Sequence, residues 1–155
     1  MIADRTHHFI ASVLRGVHLE DIDLSRITAL AVEDDKGGVA MITALLRRLG
    51  IRAYADTSGA NTVELAKHLD PLPDIIFLDL NLPRKTGFDI IQEIRADEQL
   101  KDVPVVAVSA LDPHSAIPRC KEAGFNGFIP KPLHRERLAE QIRRILRGES
   151  VWEIQ

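Results

Sequence analysis

The sequence of 155 residues predicts an α/β fold, a doubly wound five-stranded parallel sheet flanked by five helices. Three observations carry that expectation. Short apolar runs of strand length alternate five times with longer stretches of helical periodicity. The run Ile75–Leu78 shows no in–out alternation, which suits a strand buried on both faces of a parallel sheet. Breakers such as Gly50, Pro71 and Pro73 close the helical stretches.

The elements follow in order. Ile27–Val32 is apolar, has strand length and stops at Glu33-Asp34-Asp35. Val39, Ile42, Leu46 and Leu49 then recur at spacings of three and four, one face of a helix that Gly50 ends. Ile51–Ala55 reads as a second strand, and Asn61–Leu69 as a helix with Leu65 and Leu69 one turn apart. Ile75–Leu78 runs into Asp79, and Phe88–Ala96 repeats apolar residues at helical spacing. The fourth strand is Val103–Val108, with Pro104 near its start and Ser109 at its end. Asp112-Pro113 fits an N-cap with proline at the first helical position, while Pro118 predicts a short or distorted helix. Phe125–Ile129 is the last strand, and Leu138, Ile142 and Ile145 mark a final helix ending near Gly148. Residues 1–26 precede the alternation as an N-terminal extension, where Phe9, Val13 and Val17 suit a short amphipathic helix.

Composition narrows the function. Apolar residues make up 45% and charged residues 28%, ordinary for a globular domain, and the net charge is −3. An acidic balance argues against direct nucleic-acid binding through bulk charge. The single cysteine, Cys120, excludes an internal disulfide and a multi-cysteine zinc site, and reads as an inert packing residue. The longest uncharged stretch, Gly37–Leu46, is far short of the about 20 residues that a membrane span needs. Polar residues near the start leave no apolar run for a signal peptide, so a soluble, cytoplasmic protein is expected.

In open parallel sheets ligands sit beyond the carboxyl ends of the strands. Glu33, Asp34, Asp35, Asp79, Ser109 and Lys131 all fall at or just after strand ends, on that one edge. Crowded carboxylates repel by roughly 4 kcal/mol per pair at 4 Å and an effective dielectric near 20, so they need a cation or a raised pKa. A hard divalent ion, Mg²⁺ above all, would neutralise them. A carboxylate nucleophile beside a metal, an ammonium and a hydroxyl is the equipment of phosphoryl transfer. Each of these residues alone is more commonly a cap, a turn residue or a solvated side chain; their convergence on one edge is what singles them out.

Four motifs in order resemble the receiver domain of two-component response regulators over residues 27–148. They are Leu30-Ala31-Val32-Glu33-Asp34-Asp35; Asp79 with Pro83 four and Gly87 eight residues on; Ser109-Ala110; and Ala123-Gly124 through Phe128 to Lys131-Pro132. The resemblance implies a flavodoxin-like receiver fold and a site in which Asp79 accepts a phosphoryl group from a sensor histidine kinase or histidine phosphotransfer protein. It implies Mg²⁺ held by Glu33, Asp34, Asp79 and the backbone carbonyl of Asn81, with Asp35 able to replace one of the acid pair. Lys131 would pair with a phosphoryl oxygen, Ser109 would hydrogen-bond the phosphoryl group, and the Lys131-Pro132 bond would be cis, where sequence alone favours trans. Phe128 occupies the aromatic switch position, though a strand phenylalanine equally suits core filling. The family's loop methionines are replaced by Leu82 and Lys85, and Pro130 stands unusually before Lys131.

The expected function is a single-domain phosphorelay switch whose fourth helix, fifth strand and fifth helix form a protein-binding face for a downstream target, with a homodimer as a further outcome. Turnover beyond self-phosphorylation and self-dephosphorylation is not expected. The alternatives are a phosphorylation-independent scaffold and an aspartate-nucleophile phosphatase; the latter is opposed by Asn81, where haloacid dehalogenase phosphatases place a second aspartate. No DNA-reading domain is expected in the few residues after Lys131, and the apolar tail within residues 149–155, Val151–Ile154, is expected to pack against its own domain.

Overall fold

Thr28–Val32 is buried at every position and forms the strand β1, from which the sheet extends in both directions. The computed structural model describes residues 22–155. The helix expected around Phe9, Val13 and Val17 lies outside them. A 3₁₀ turn at Leu24–Arg26 leads into β1, followed by α1 (Lys36–Arg48), β2 (Arg52–Asp56), α2 (Thr62–His68), β3 (Ile75–Leu78) and α3 (Gly87–Ala96). Then come β4 (Val105–Ser109), α4 (Pro113–Ala123), β5 (Gly127–Pro130), α5 (Arg135–Leu146) and a short β6 (Val151–Trp152). All strands are parallel, in the order β2-β1-β3-β4-β5-β6.

The sheet thus has six strands where the sequence predicts five. The sixth is too short to carry a periodicity, and its pairing with β5 supplies what its length does not. Several boundaries also move by one or two residues. Pro104 has no N–H for the ladder, so β4 begins at Val105. Phe125 donates its N–H to the Cys120 carbonyl at the end of α4, which delays β5 to Gly127. Pro118 leaves α4 continuous over 11 residues rather than shortened. Pro118 and His114, whose carbonyl loses its helical partner, are both exposed residues.

Alternation along each strand splits the interior into two cores. Ala29, Ala31, Ile75, Phe77, Val106 and Val108 face Ile42 and Leu46 of α1 and Leu138, Ile142 and Ile145 of α5. Leu30, Val32, Ile76, Leu78, Val105 and Ala107 face Ile90, Ile91 and Ile94 of α3 and Ala116 and Cys120 of α4. The lower corner of the second core is tied by Arg95, whose guanidinium donates to the carbonyls of Lys101, Val103 and Gly124 and to Asn126 Oδ1. Burial draws the Arg95 pKa down, and the four acceptors compensate its charge locally. Among the described residues no helix is long and apolar enough to cross a membrane.

Cys120 sits wholly inside the second core, and burial pushes its thiol up to about 11. At pH 8 the native thiol should therefore react with a disulfide reagent at least about 100-fold more slowly than the unfolded chain. Stopped-flow thiol titration with and without denaturant checks this.

Candidate functional site

The strand order reverses between β1 and β3, and the residues that follow those two strands meet there. Glu33 follows β1 directly, with its N–H bonded to the Asp56 carbonyl at 3.0 Å. Asp79 follows β3, with its N–H bonded to the Val32 carbonyl at 3.0 Å. Both carboxylates are buried, at 6% exposure each, whereas Asp34 between them is exposed. Lys131 reaches across from the end of β5. Its Nζ lies 2.6 Å from Glu33 Oε2 and 3.2 Å from Asp79 Oδ2, one ammonium bridging two carboxylates.

The remaining oxygens are engaged or open. Glu33 Oε1 accepts the Asp35 N–H at 3.2 Å, and Asp79 Oδ1 accepts the Asn81 N–H at 3.1 Å. Asp35 turns the other way and caps α1, accepting the Gly38 N–H at 2.7 Å. Glu33, Asp34 and Asp79 each offer an oxygen within 4.8 Å of the others. The structure therefore groups the first two acids of the triplet with Asp79 and commits the third to the helix. Asn81 has an exposed side chain and contributes its N–H to Asp79.

Burial pushes the Glu33 carboxyl above the usual glutamate range, and the Asp79 charge adds to this while the Lys131 hydrogen bond opposes it. For Lys131, burial pulls downward but is outweighed by the Glu33 hydrogen bond and the Asp79 and Glu33 charges, so its pKa rises. A lysine raised in the fold stabilises it fully below the ordinary lysine pKa and loses that contribution as pH climbs through the folded value. Ionised, these four side chains carry three negative charges against one positive, and three oxygen donors of this kind suit a hard divalent cation.

Ser109 ends β4 fully buried, and its Oγ accepts the Leu111 N–H at 3.1 Å, so the hydroxyl is engaged with its own loop. The backbone links it to the lysine strand, since the Lys131 N–H donates to the Ser109 carbonyl at 2.9 Å. Phe128 is wholly buried on β5 among the residues of the second core. The Lys131–Pro132 bond is cis. A largely apolar pocket of about 310 Å³, open to solvent, adjoins the site: Glu33, Asp79 and Lys131 share its lining with Ala31, Ile42, Phe77, Val108 and Leu133, and Met41 is exposed at its edge.

Sequence reading passes over what fixes the loop after Asp79. Thr86 and Asp89 form a reciprocal capping box at the start of α3, a Thr-x-x-Asp signature ahead of an apolar run. It brings Gly87 so close to the loop that a Cβ there would stand 2.6 Å from the Asp79 carbonyl oxygen. Lys85, a departure from the family pattern, is anchored to Glu93 at 2.8 Å and to the Ala60 carbonyl at 3.1 Å.

A doubly wound parallel sheet with a lysine-bridged acid cluster at its switch point defines a receiver-type signalling domain. A sequence model described as the response regulator receiver domain matches residues 29–143, and the chain belongs to that family. It is 34% identical over 117 residues to the two-component response regulator ORR7 of Oryza sativa subsp. japonica, covering 76% of this chain but only 55% of that protein. It is equally 34% identical over 116 residues to the chemotaxis protein CheY of Pseudomonas aeruginosa, covering 75% of this chain and 93% of CheY. Among solved structures, the receiver domain of a Pseudomonas aeruginosa sensor histidine kinase, with a magnesium ion coordinated in its active-site cleft, superimposes with a TM-score of 0.69. Identity there is 32%, over 79% of this chain and 98% of that one. Vibrio cholerae CheY4 shares the fold with a TM-score of 0.70 at 24% identity, over 77% of this chain and 98% of that one. The family is a signalling one, and phosphorelay signalling is the class of function it carries.

Removing the bridging ammonium would leave two buried carboxylates facing each other. Lys131→Ala is expected to cost about 1–3 kcal/mol in urea unfolding, below the figure for a fully buried pair because the lysine is 31% exposed. Glu33→Gln in the same chain should recover part of that loss.

Proposed function

We propose that the chain is a response regulator that accepts a phosphoryl group on Asp79 and passes the signal to a protein partner. The observation that carries this reading is the Lys131 ammonium held between Glu33 and Asp79, beside the open carboxylate of Asp34. The donor would be a phosphohistidine of a sensor kinase or phosphotransfer protein. A carboxylate oxygen of Asp79 forms the new O–P bond as the N–P bond breaks, and the imidazole leaves with a proton from solvent. Lys131 keeps one positive charge against the phosphoryl oxygens, so attack by an anion on an anion is electrostatically tolerable. Ser109 would turn from Leu111 to donate its hydroxyl proton to a phosphoryl oxygen.

Glu33, Asp34 and Asp79 would hold Mg²⁺, with the Asn81 carbonyl as a further oxygen. The ion supplies charge compensation for the phosphoryl oxygens when bound. The magnesium in the cleft of the Pseudomonas kinase receiver supports this assignment. The scaffold reading gains nothing here, because every reacting group of the resemblance is present on the one edge. A single cysteine, and so no internal disulfide, is in keeping with a cytoplasmic site of action.

Incubation with acetyl phosphate and Mg²⁺ should add the mass of one phosphoryl group, seen by intact-protein mass spectrometry. Asp79→Asn should abolish the gain, chelation of Mg²⁺ should suppress it, and Lys131→Ala should slow it by roughly 10²-fold. No gain with acetyl phosphate or any phosphohistidine donor would transfer the assignment to the scaffold reading.

A further inference from the structure

The segment after α5 doubles back onto the sheet. Glu149 is held by Arg144 at 3.6 Å and by Arg147 at 3.2 Å where the chain turns. β6 then runs beside β5 with Val151 opposite Gly127 and Trp152 opposite Phe128. The Val151 N–H donates to the Asn126 carbonyl at 3.1 Å, and the Glu153 N–H to the Phe128 carbonyl at 2.9 Å. Val151 is 1% exposed and completes the core under α5. A Cβ at position 127 would stand 2.7 Å from the Val151 carbonyl oxygen, so glycine there leaves room for the returning strand.

Side chains on both flanking helices hold the rest of the segment. The Lys121 ammonium of α4 lies 5.3 Å from the centre of the Trp152 ring. From α5, Gln141 Nε2 donates to Glu153 Oε1 at 3.4 Å and Arg137 Nη1 to the Gln155 backbone oxygen at 3.2 Å. The segment ends in a groove that Ile154 and Gln155 share with Ser109, Leu111, Lys131 and His134. It therefore pairs with Phe128 at one end and faces the Ser109 loop across that groove at the other.

We propose that residues 151–155 are a strap, seated on the β5 edge in the unphosphorylated protein and released when Asp79 carries a phosphoryl group; this rests on the phosphoacceptor reading above. Ser109 Oγ now accepts the Leu111 N–H. Drawing the hydroxyl to a phosphoryl oxygen frees that N–H and moves the loop forming one wall of the Ile154 groove. Phe128 has no exposed surface, and its carbonyl carries a strap hydrogen bond, so any turn of its ring changes the surface on which Trp152 rests. Val151 is the one buried anchor of the strap, and the rest of it is weakly held. Only two of its residues join the ladder, Trp152 is half-buried and Ile154 is 57% exposed. Short edge elements of this kind open well below the global unfolding free energy. Release uncovers the outer edge of β5 between Lys121, Arg137 and Gln141, a row of backbone groups open to strand addition by a partner.

Trp152 is the only tryptophan of the chain and reports the strap directly. Phosphorylation by acetyl phosphate and Mg²⁺ should red-shift its emission and raise its acrylamide quenching constant by about threefold or more, in step with the mass gain and absent in Asp79→Asn. Amide exchange at Val151 and Glu153 should quicken over the same course. Because coupling is reciprocal, Trp152→Ala and Lys121→Ala should each bind the phosphoryl analogue beryllofluoride several-fold tighter, read by fluorine NMR. Full phosphorylation with Trp152 quenching and Val151 and Glu153 exchange unchanged would overturn the strap and leave the phosphoacceptor reading standing. No mass gain would remove both.

Discussion

The structure turns on one electrostatic constraint: two buried carboxylates, Glu33 and Asp79, can face each other only with the Lys131 ammonium between them. The three residues come from distant parts of the chain, and their meeting depends on β1 and β3 being neighbours with only β4 between β3 and β5. Parallel pairing of β1 with β3, Val32 against Leu78, sets the carboxylates side by side rather than one residue out of step. A slip of a single residue would turn every side chain of the strand to the opposite face. The two cores, by fixing which residues face which helices, therefore also fix the charge cluster.

The same constraint explains the neighbouring polar contacts. Asp35 serves α1 as a cap, which keeps a further carboxylate out of an already crowded place. The capping box of Thr86 and Asp89 and the close approach of Gly87 hold the loop after Asp79, so its backbone N–H groups stay where they are needed. The Asn81 N–H on Asp79 Oδ1 is the product of that geometry. Rigid supports thus surround the buried Asp79 carboxylate.

Much of this was legible in the sequence because it is written in patterns that need no partner. Four of the five main strands are largely apolar runs, β2 with Arg52 and Asp56 being the exception. Glu33, Asp79 and Lys131 directly follow three of those four, and Ser109 ends β4 itself. The acid triplet was ambiguous in sequence because three adjacent carboxylates differ only in the direction the chain takes after β1. That direction is set by helix capping at Asp35. β6 was not legible: two residues have no periodicity, and the pairing that makes them a strand lies on β5. Arg95 was equally silent, since a lysine or arginine on a helix reads as solvated until Gly124, Lys101, Val103 and Asn126 present their acceptors to it. Pro118 misled for the converse reason, its cost being met by solvent on the exposed side of α4.

The largely apolar pocket beside the carboxylates bears on the molecule's mechanics. About 310 Å³ beside Ala31, Ile42, Phe77, Val108 and Leu133 opens to solvent between α1 and the loop after β5. A second pocket of about 250 Å³, lined by Val103, Pro104, Asn126 and Ile145, lies at the arginine-tied corner at the opposite end of the sheet. Each end of the domain therefore carries space that close packing does not fill. Hydrostatic pressure, which favours states that fill such space with water, acts on both ends of the sheet at once.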